Sequence, residues 1–276
     1  MKKKYHEFTE DDHTFVICAY KESAFLEECI ESLEKQNKKS KILLATSTPN
    51  DYIKDIARRH GLEVNVNTGE KGLAGDWNYA YSIADTSLIT IAHQDDVYLP
   101  AYSESIIRAF NESKNPLIAF SDYGELRNGK PVYKNKLLKI KRILLLPLRI
   151  KAFHKSIFVR RRVMSIGSAI CCPAVSFYAP ALPKKIFTSE FKSNSDWQAW
   201  ERLSKRKGEF IYVKTPLMLH RIHHESTTSQ IIEDDNRGQE DYAMFCKFWP
   251  KSIARLISGV YKNLSLIHIS EPTRPY

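Results

Sequence analysis

The run "TFVICAY", residues 14–20, is apolar and partly β-branched throughout, which is typical of a strand buried on both faces of a parallel sheet. Apolar residues at helical spacing follow from Leu26 to Leu33, and Ser23 is placed to cap that helix. The strand "KILLAT" then leads to Thr48 and Asp51, which predict a capping box at the start of a second helix, and "LEVNV" follows as the third strand.

The same alternation continues beyond these elements. "DWNYAYSIA" predicts a helix, "SLITIA" a strand, Pro100 the start of a helix and "LIAFSDY" a strand. This order predicts an α/β fold, with a mostly parallel sheet and helices on both of its faces. A hairpin is expected at Asn128-Gly129. Past residue 130 the alternation stops: we expect a basic helical stretch, the strand "SAICCPAVSFYA", a helix over 195–208, the strand "EFIYVKTPLMLH" and a helical tail.

The composition is that of a folded domain with a substantial core, with 276 residues, 43% of them hydrophobic and 27% charged. Five cysteines without C-x-x-C spacing indicate buried thiols, not a disulfide framework or a zinc site. No apolar stretch follows the lysines of "MKKKYHEFTEDDH", so we expect a cytoplasmic protein. The stretch "LSLIHISEPTRPY", residues 264–276, looks like a translated sequencing-library adapter and is left out of the fold prediction.

The basic charge is concentrated in one segment, Lys134–Arg162. It contains eleven Lys and Arg and no Asp or Glu, which exceeds the net charge of +10 of the whole chain. One hypothesis is an amphipathic stretch that lies on an anionic membrane surface, and the alternative is that its apolar residues belong to the core and its charges form a solvated rim. The apolar residues in question are Leu137, Leu138, Ile140, Leu144, Leu145 and Leu148.

Polar residues follow four of the predicted strands, in "AYKES", "TSTPND", "GEKGLAGDWN" and "HQDD". Ligands bind beyond the carboxyl ends of the strands in open α/β sheets, so these loops are expected to converge on one site. The adjacent Asp95 and Asp96 suit Mg²⁺ or Mn²⁺, hard cations that bridge to phosphates. A turn that faces water is the alternative.

Two further segments contain candidate site residues. Asp196 in "NSDWQAWERL" falls in the first turn of its helix, as a general base or as an acid that stabilises the helix dipole. In "LMLHRIHHESTT", strand alternation places Arg221 and His223 on one face, where they could hold a diphosphate or complete a metal site. A polar strand end at the surface is equally consistent with the second pattern.

Together these segments resemble family 2 glycosyltransferases of the GT-A fold over about residues 12–250. "AYKES" looks like the family's opening nucleotide-binding segment and "HQDD" like its D-x-D region. "SDWQAW" stands where the family has its acidic catalytic motif, and "HRIHHEST" resembles a segment of bacterial members that build surface polysaccharides. The resemblance implies one domain over 12–230, with a donor half 12–125 and an acceptor half 126–230, followed by a helical segment over 231–263.

The resemblance also assigns site residues. Asp196 is implied as the general base, and Mn²⁺ or Mg²⁺ is implied as the cofactor, bound by Asp96 as the preferred ligand with Asp95 and His223. Donor binding is implied for Ala19, Tyr20, Glu22, Thr46, Asp76, Asn78, Asp95 and Arg221. The sequence departs from the family at Ala45-Thr46-Ser47, where an acidic pair is common, at Trp77-Asn78, where Arg-Asn is common, and at His93, the first position of D-x-D. The nucleotide base is therefore left open.

The implied activity is inverting, metal-dependent transfer of a sugar from a nucleotide diphosphate sugar to an acceptor hydroxyl, in cell-surface polysaccharide synthesis. The acceptor would be a saccharide or a lipid-linked saccharide, and the enzyme would be cytoplasmic, with attachment to the inner face of the cell membrane as a further hypothesis. A sugar-phosphate nucleotidylyltransferase is the first alternative, but "VICAYKESAF" has no glycine for its phosphate loop. A basic nucleic-acid-binding protein is the second, but the basic segment offers few stacking aromatics, so no nucleic-acid partner is expected.

Overall fold

The computed structural model describes residues 7–223 and 236–270. These residues form one nine-stranded sheet. The strands are β1 (His13–Ala19), β2 (Lys41–Thr46), β3 (Val64–Val66), β4 (Leu88–His93), β5 (Val97–Tyr98), β6 (Pro116–Arg127), β7 (Lys130–Val132), β8 (Val175–Tyr178) and β9 (Glu209–Ile222).

The strand order is β3-β2-β1-β4-β8-β6-β9-β5, with β7 paired to β6. The first four strands of this order are parallel, as the alternation of strands and helices predicted. β8 then runs antiparallel between β4 and β6, while β9 runs parallel to β6. The predicted α/β fold class is confirmed, and β1 to β4 form the parallel block that the alternation of strands and helices predicted.

Helices cover both faces of the sheet. Strand β1 directs apolar side chains alternately to the two faces, so each face needs a helical layer to bury them. Phe15 and Ile17 pack with one helical layer, and Val16 packs with the other. The helices of the first layer are α1 (Leu26–Glu34), α2 (Asp51–Arg59) and α4 (Tyr102–Asn111). The second layer contains α3 (Leu73–Ile83), α6 (Ile157–Met164), α7 (Ser195–Ser204) and α8 (Asn236–Cys246). The basic segment begins with α5 (Lys136–Leu144), and the last helix is α9 (Lys251–Ser270).

Two predicted helix caps are wrong. Helix α1 begins at Leu26 without a side-chain cap, and Ser23 instead forms a turn just before it. Helix α2 is capped by Asn50, whose side chain accepts a hydrogen bond from the amide of Ile53 at 2.8 Å. The Thr48 hydroxyl is used elsewhere, as the acceptor for the amide of Lys21. Both sequence patterns placed the cap two residues too early, since turns precede each helix.

The predicted hairpin is confirmed at Asn128-Gly129, which join β6 to β7. Both residues have positive φ angles, 49° and 74°, as a tight two-residue hairpin turn requires. Glycine is also needed at Gly75, because a Cβ there would lie 2.2 Å from the carbonyl oxygen of Glu70. The first turn of α3 therefore packs directly on the loop that precedes it.

The basic segment contributes to the core. Leu138, Leu145 and Leu148 are buried, as the core alternative predicted. The remaining apolar residues of the predicted stripe, Leu137, Ile140 and Leu144, line an internal cavity. No helix within 7–223 and 236–270 is long and apolar enough to cross a bilayer. Helix α9 continues past residue 263, whereas residues 231–235 and 271–276 lie outside the described residues.

A buried arginine fixes the end of α7. The residue is Arg160, whose guanidinium donates to the carbonyl oxygens of Ser204, Arg206 and Gly208. The guanidinium also lies 4.9 Å from the ring centroid of Phe210. Burial lowers the pKa of Arg160 to about 10, so the side chain stays charged at neutral pH. It supplies donors to the Ser204 carbonyl, which the helix end leaves without an intrahelical partner, and to two carbonyls of the loop that follows.

A second buried polar group is His13, the first residue of β1. The ring of His13 bonds through Nδ1 to the Ser40 hydroxyl and through Nε2 to the Thr90 hydroxyl, each at 2.8 Å. Thr90 in turn bonds to Ser176, so the contacts join β1, β4 and β8. Burial lowers the pKa of His13 to about 3, and the ring is therefore neutral at physiological pH.

Candidate active site

A cavity of about 1060 Å³ lies at the carboxyl ends of β1, β2 and β4. The four loops that the sequence predicted to converge all reach it. The predicted site residues on its wall are Ala19, Tyr20, Glu22, Thr46, Asp76, Asp95, Asp196 and His223. Three predicted residues, Asn78, Asp96 and Arg221, are buried beside the cavity and do not line it.

Asp95 and Asp96 point in different directions. Asp95 faces the cavity, and its Oδ2 lies 3.0 Å from Nε2 of His223. Asp96 is completely buried, and its Oδ1 accepts hydrogen bonds from Nδ1 of His220 and from the amide of Arg221, each at 2.9 Å. Strand β9 therefore holds the acidic pair against the end of β4.

The environment of these groups sets their charge. Burial opposes ionisation of Asp95, but the hydrogen bond from His223 and the charge of His220 outweigh it and hold the pKa of Asp95 below its ordinary value. Burial likewise opposes protonation of His220, but the nearby Asp96 carboxylate outweighs it and raises the pKa of that imidazole. The first effect favours an ionised Asp95 carboxylate, and the second favours a protonated His220 ring beside it.

The acidic pair fits a divalent cation. One ligand atom each from His93, Asp95 and Asp96 lie within 4.8 Å of one another. Oδ2 of Asp96 is buried and has no hydrogen-bond partner among the described residues, although buried carboxylate oxygens normally have one. An orphaned anionic oxygen next to a second carboxylate is the donor set that Mg²⁺ or Mn²⁺ takes.

Arg221 braces this turn. Its Nε donates to the carbonyl oxygen of Asp95 at 2.8 Å, and its Nη2 lies 2.5 Å from a carboxylate oxygen of Glu28 on α1. The guanidinium also lies 4.2 Å from the ring centroid of Phe25. These contacts use the side chain to position Asp95, and Arg221 does not line the cavity.

Side-chain amides hold together the loops after β1 to β4, which form one side of the cavity, called the donor side. Gln94 accepts from the amide of Tyr20 at 2.9 Å and donates to the Tyr20 carbonyl at 3.0 Å, which ties "HQDD" to the end of β1. Asp76 accepts from the Ser47 hydroxyl and from Nδ2 of Asn67, each at 2.8 Å. The Asn78 side chain bonds only to the backbone of residues 186 and 187, so it braces α3 and does not reach the donor side.

Asp196 lies across the cavity in the first turn of α7, as predicted. The loop before it is held by α8, because the Glu240 carboxylate accepts from the amides of Lys192, Ser193 and Asn194 at 2.8–3.1 Å. Burial raises the pKa of Asp196, although the Trp197 amide and the nearby cations Lys141 and Arg237 oppose this effect. A carboxylate with a raised pKa is suited to accept a proton.

The wall near Asp196 is formed partly by the basic segment. Lys141 reaches over the cavity and donates to the Tyr123 hydroxyl at 2.8 Å. Leu137, Ile140 and Leu144 of the same helix line the wall beside it. This part of the cavity therefore combines an apolar surface with a positive charge, unlike the polar donor side.

Sequence reasoning missed several residues of this site. Gln94 was the neglected position inside "HQDD", and His93 was noted only as a departure from D-x-D. Glu240 gave no signal, because a carboxylate on a distant helix can accept amides from any loop that packs against it. Lys141 was expected on an outer face, against either a membrane surface or solvent, since charge within an amphipathic pattern normally faces outward.

Comparison with known proteins supports the reading of the fold. The profile of glycosyl transferase family 2 matches residues 14–167. A comparison with curated protein sequences finds no match. Similar solved structures include S. aureus TarS 1–349 in complex with UDP-GlcNAc, with a TM-score of 0.61 at 13% identity, over 90% of this chain and 70% of that chain.

Two other similar structures contain Mn²⁺. The mannosyltransferase PcManGT from Pyrobaculum calidifontis, in complex with GDP-Man and Mn²⁺, has a TM-score of 0.60 at 14% identity, over 92% of this chain and 70% of that chain. Glucosyl-3-phosphoglycerate synthase from Mycobacterium tuberculosis, in complex with Mn²⁺, UDP and glucosyl-3-phosphoglycerate, has a TM-score of 0.55 at 14% identity, over 80% and 77%. The family profile covers more than half of the sequence, and the chain therefore belongs to glycosyl transferase family 2 and is a glycosyltransferase.

Proposed function

We propose that this enzyme transfers a sugar from a nucleoside diphosphate sugar to an acceptor hydroxyl, with inversion at the anomeric carbon. The observation that carries the proposal is that Asp95 and Asp196 face the same cavity, one from the nucleotide-binding edge of the sheet and the other from helix α7. UDP-GlcNAc and GDP-Man in the similar structures support a donor of this class. A role in cell-surface polysaccharide synthesis rests on the "HRIHHEST" resemblance alone.

The donor would lie along the loops after β1, β2 and β4, with its diphosphate next to Asp95. Asp95 and Asp96 would hold the divalent cation, with Asp95 as the ligand that faces the cavity. A bound cation would stabilise the negative charge that develops on the leaving diphosphate.

Asp196 would accept the proton of the acceptor hydroxyl while its oxygen attacks the anomeric carbon. The new glycosidic bond forms as the bond from the anomeric carbon to the diphosphate oxygen breaks, and the nucleoside diphosphate leaves. A single base and one displacement give an inverted product. The apolar and basic wall near Lys141 would receive an acceptor that carries an apolar group or a negative charge, as a lipid-linked saccharide does.

A two-step experiment tests this function. A thermal-shift screen of nucleotide sugars, with and without Mn²⁺, should identify a donor that raises the melting temperature, because binding to the folded state stabilises it. With that donor, Asp196→Asn should keep the thermal shift and lose product formation. The control is Asp85→Asn, which removes an exposed carboxylate far from the cavity and should change neither property. Normal turnover by Asp196→Asn would refute the assignment of the base.

We also propose that the basic segment contacts an anionic membrane surface, through residues other than those of the predicted stripe. Six large apolar side chains of this segment are exposed, and the most exposed is Phe158 at 69%. They lie among Lys and Arg without an acidic residue over 134–162. Such a surface suits anionic lipid headgroups, with the apolar side chains entering the interface. The six residues are Ile143, Leu146, Ile150, Phe153, Ile157 and Phe158.

Sedimentation with liposomes tests the membrane contact. Binding is expected to vesicles that contain anionic lipid and not to neutral vesicles, and salt should weaken it. Lys139→Glu with Lys155→Glu should reduce binding, since both side chains are exposed. The matched control reverses the same amount of charge on α2, with Lys54→Glu and Arg58→Glu. Equal recovery in the supernatant with both kinds of vesicle would exclude the contact.

A further inference from the structure

We propose that His93 supplies a nitrogen ligand to the divalent cation of this enzyme, so that the site selects Mn²⁺ over Mg²⁺. The inference rests on the metal site of the proposed function and adds the composition of its ligand set. The sequence marked His93 only as a departure from an acidic motif. The structure brings its ring to the same point as the two aspartates.

The first support is distance. Nδ1 of His93 lies 3.9 Å from Oδ2 of Asp96, and Asp95 offers a further oxygen within the 4.8 Å cluster. Metal bonds to imidazole nitrogen and carboxylate oxygen are about 2.0–2.2 Å long, so one ion can contact both atoms across this gap. The ring is already in place, since it stacks on the Trp77 indole with centroids 5.1 Å apart and an interplanar angle of 14°.

The second support is the hydrogen-bond inventory. Oδ2 of Asp96, the atom that lies 3.9 Å from Nδ1 of His93, is buried without a hydrogen-bond partner among the described residues. Leaving such groups unsatisfied is costly, so native sites normally supply a partner. The other carboxylate oxygen of Asp96 is already used by His220 and by the amide of Arg221, which leaves Oδ2 for a ligand. A cation between the ring and the carboxylates would provide it.

Within the part of the chain that the structure describes, the other two imidazoles near the site are committed to carboxylates. His220 bonds through Nδ1 to Asp96, and His223 bonds through Nε2 to Asp95. Both contacts are hydrogen bonds in which the ring orients a metal-binding carboxylate. The ring of His93 is held by stacking and makes no hydrogen bond to a carboxylate of the described residues, since its Nδ1 lies 3.9 Å from Asp96. It is therefore the ring best placed to bind the ion itself.

The identity of the ligand decides which ion is preferred. Mg²⁺ takes oxygen ligands in a near-ideal octahedral geometry, whereas Mn²⁺ takes the same carboxylate oxygens and, as a first-row transition metal, accepts an imidazole nitrogen more readily than Mg²⁺ does, although it stands lowest in that series. A site with an acid in place of His93 would hold Mg²⁺ well. Replacing one oxygen ligand by an imidazole nitrogen is therefore expected to lower the affinity for Mg²⁺ more than the affinity for Mn²⁺.

Metal binding can be measured without turnover. Free Mn²⁺ is followed by electron paramagnetic resonance during titration of the metal-free full chain, in the presence of UDP and separately of GDP, and Mg²⁺ affinity is obtained by competition. The wild type should bind Mn²⁺ more tightly than Mg²⁺, and His93→Asp should reduce this preference by about tenfold or more, the scale on which changes around a metal ligand alter affinity. An unchanged preference in His93→Asp would overturn the inference.

Pulsed paramagnetic resonance supplies a second readout, because a nitrogen bound to Mn²⁺ gives a characteristic hyperfine coupling. The coupling should be present in the wild type, persist in both His220→Gln and His223→Gln, and disappear in His93→Asp. If His93→Asp does not fold, the other two variants still decide, since loss of the coupling in either one assigns the ligand to that histidine. Mn²⁺ binding without nitrogen coupling refutes the role of His93 alone, whereas no Mn²⁺ binding with either nucleotide refutes the proposed metal site as well.

Discussion

Replacing the buried His13 by asparagine should make the stability of the protein less sensitive to acid. Burial lowers the pKa of His13 from 6.5 to about 3 in the folded protein. Below pH 6.5 the unfolded chain therefore binds a proton that the folded protein does not bind until about pH 3. Protons favour the unfolded state throughout this window, so stability falls as the pH falls.

The magnitude follows from the shift. Each pKa unit corresponds to about 1.4 kcal/mol, so this histidine costs the folded state about 5 kcal/mol once the pH is below both values. Between pH 7.5 and pH 5.0 this histidine lowers the free energy of unfolding by about 2 kcal/mol. At pH 5.0 the His13 ring is mostly protonated in the unfolded chain and neutral in the folded protein. Asparagine has no titrating group in this range, and the cost should disappear with it.

Urea denaturation at pH 7.5 and at pH 5.0 measures the effect in the wild type and in His13→Asn. The loss of unfolding free energy on acidification should be larger in the wild type by about 2 kcal/mol. Other titrating groups contribute equally to both proteins and cancel in this comparison. The reasoning is refuted if the two proteins lose the same free energy between the two pH values.

Three further predictions concern the active site and its support. The acid limb of the kcat/KM profile should lie above the ordinary pKa of an aspartate, because burial raises the pKa of Asp196 in the free enzyme and the base must be ionised; a limb near pH 4 or absent would contradict this role. Glu240→Gln should lower kcat by about tenfold and leave the donor-induced thermal shift unchanged, since small displacements of a reacting group cost that much or more; equal loss of donor binding would indicate a general structural defect. Arg160→Met should reduce the unfolding free energy measured in urea by about 3 kcal/mol or more, because three carbonyl oxygens each lose a donor worth at least about 1 kcal/mol; a change below about 1 kcal/mol would contradict its role as the cap of α7.

The sequence predicted those parts of the fold that local patterns determine. The apolar run of β1, the positive φ angles at Asn128-Gly129 and the acidic pair after β4 each follow from residues that are close together in the chain. The parallel arrangement of β1 to β4 also follows from the alternation of strands and helices. Two parallel strands must be joined by a crossover connection, and a helix between them supplies it. Local chemistry and backbone geometry leave few alternatives in these cases.

The remaining features depend on partners far away in the sequence. The antiparallel strand β8 enters the sheet between β4 and β6. It is only four residues long, and a sequence pattern that short does not specify which strands it pairs with. The apolar stripe of α5 indicated a buried face, but not that Leu137 and Ile140 would face a cavity. The inward turn of Asp96 depends on His220, which is more than a hundred residues later. Periodicity reports that a side chain is covered and does not identify what covers it.

The hold of Glu240 on the loop before Asp196 has a consequence for biosynthesis. Translation adds residues from the N-terminus, so β1 to β9 leave the ribosome before α8 does. A nascent chain that ends near residue 223 contains every strand among the described residues and the loops after β1, β2 and β4, while the amides of Lys192, Ser193 and Asn194 still lack their acceptor. The edge of the cavity at β1, β2 and β4 can therefore form during synthesis, whereas the loop before Asp196, the proposed base, is fixed in place only when the later helix docks, so an incomplete chain would lack a positioned base.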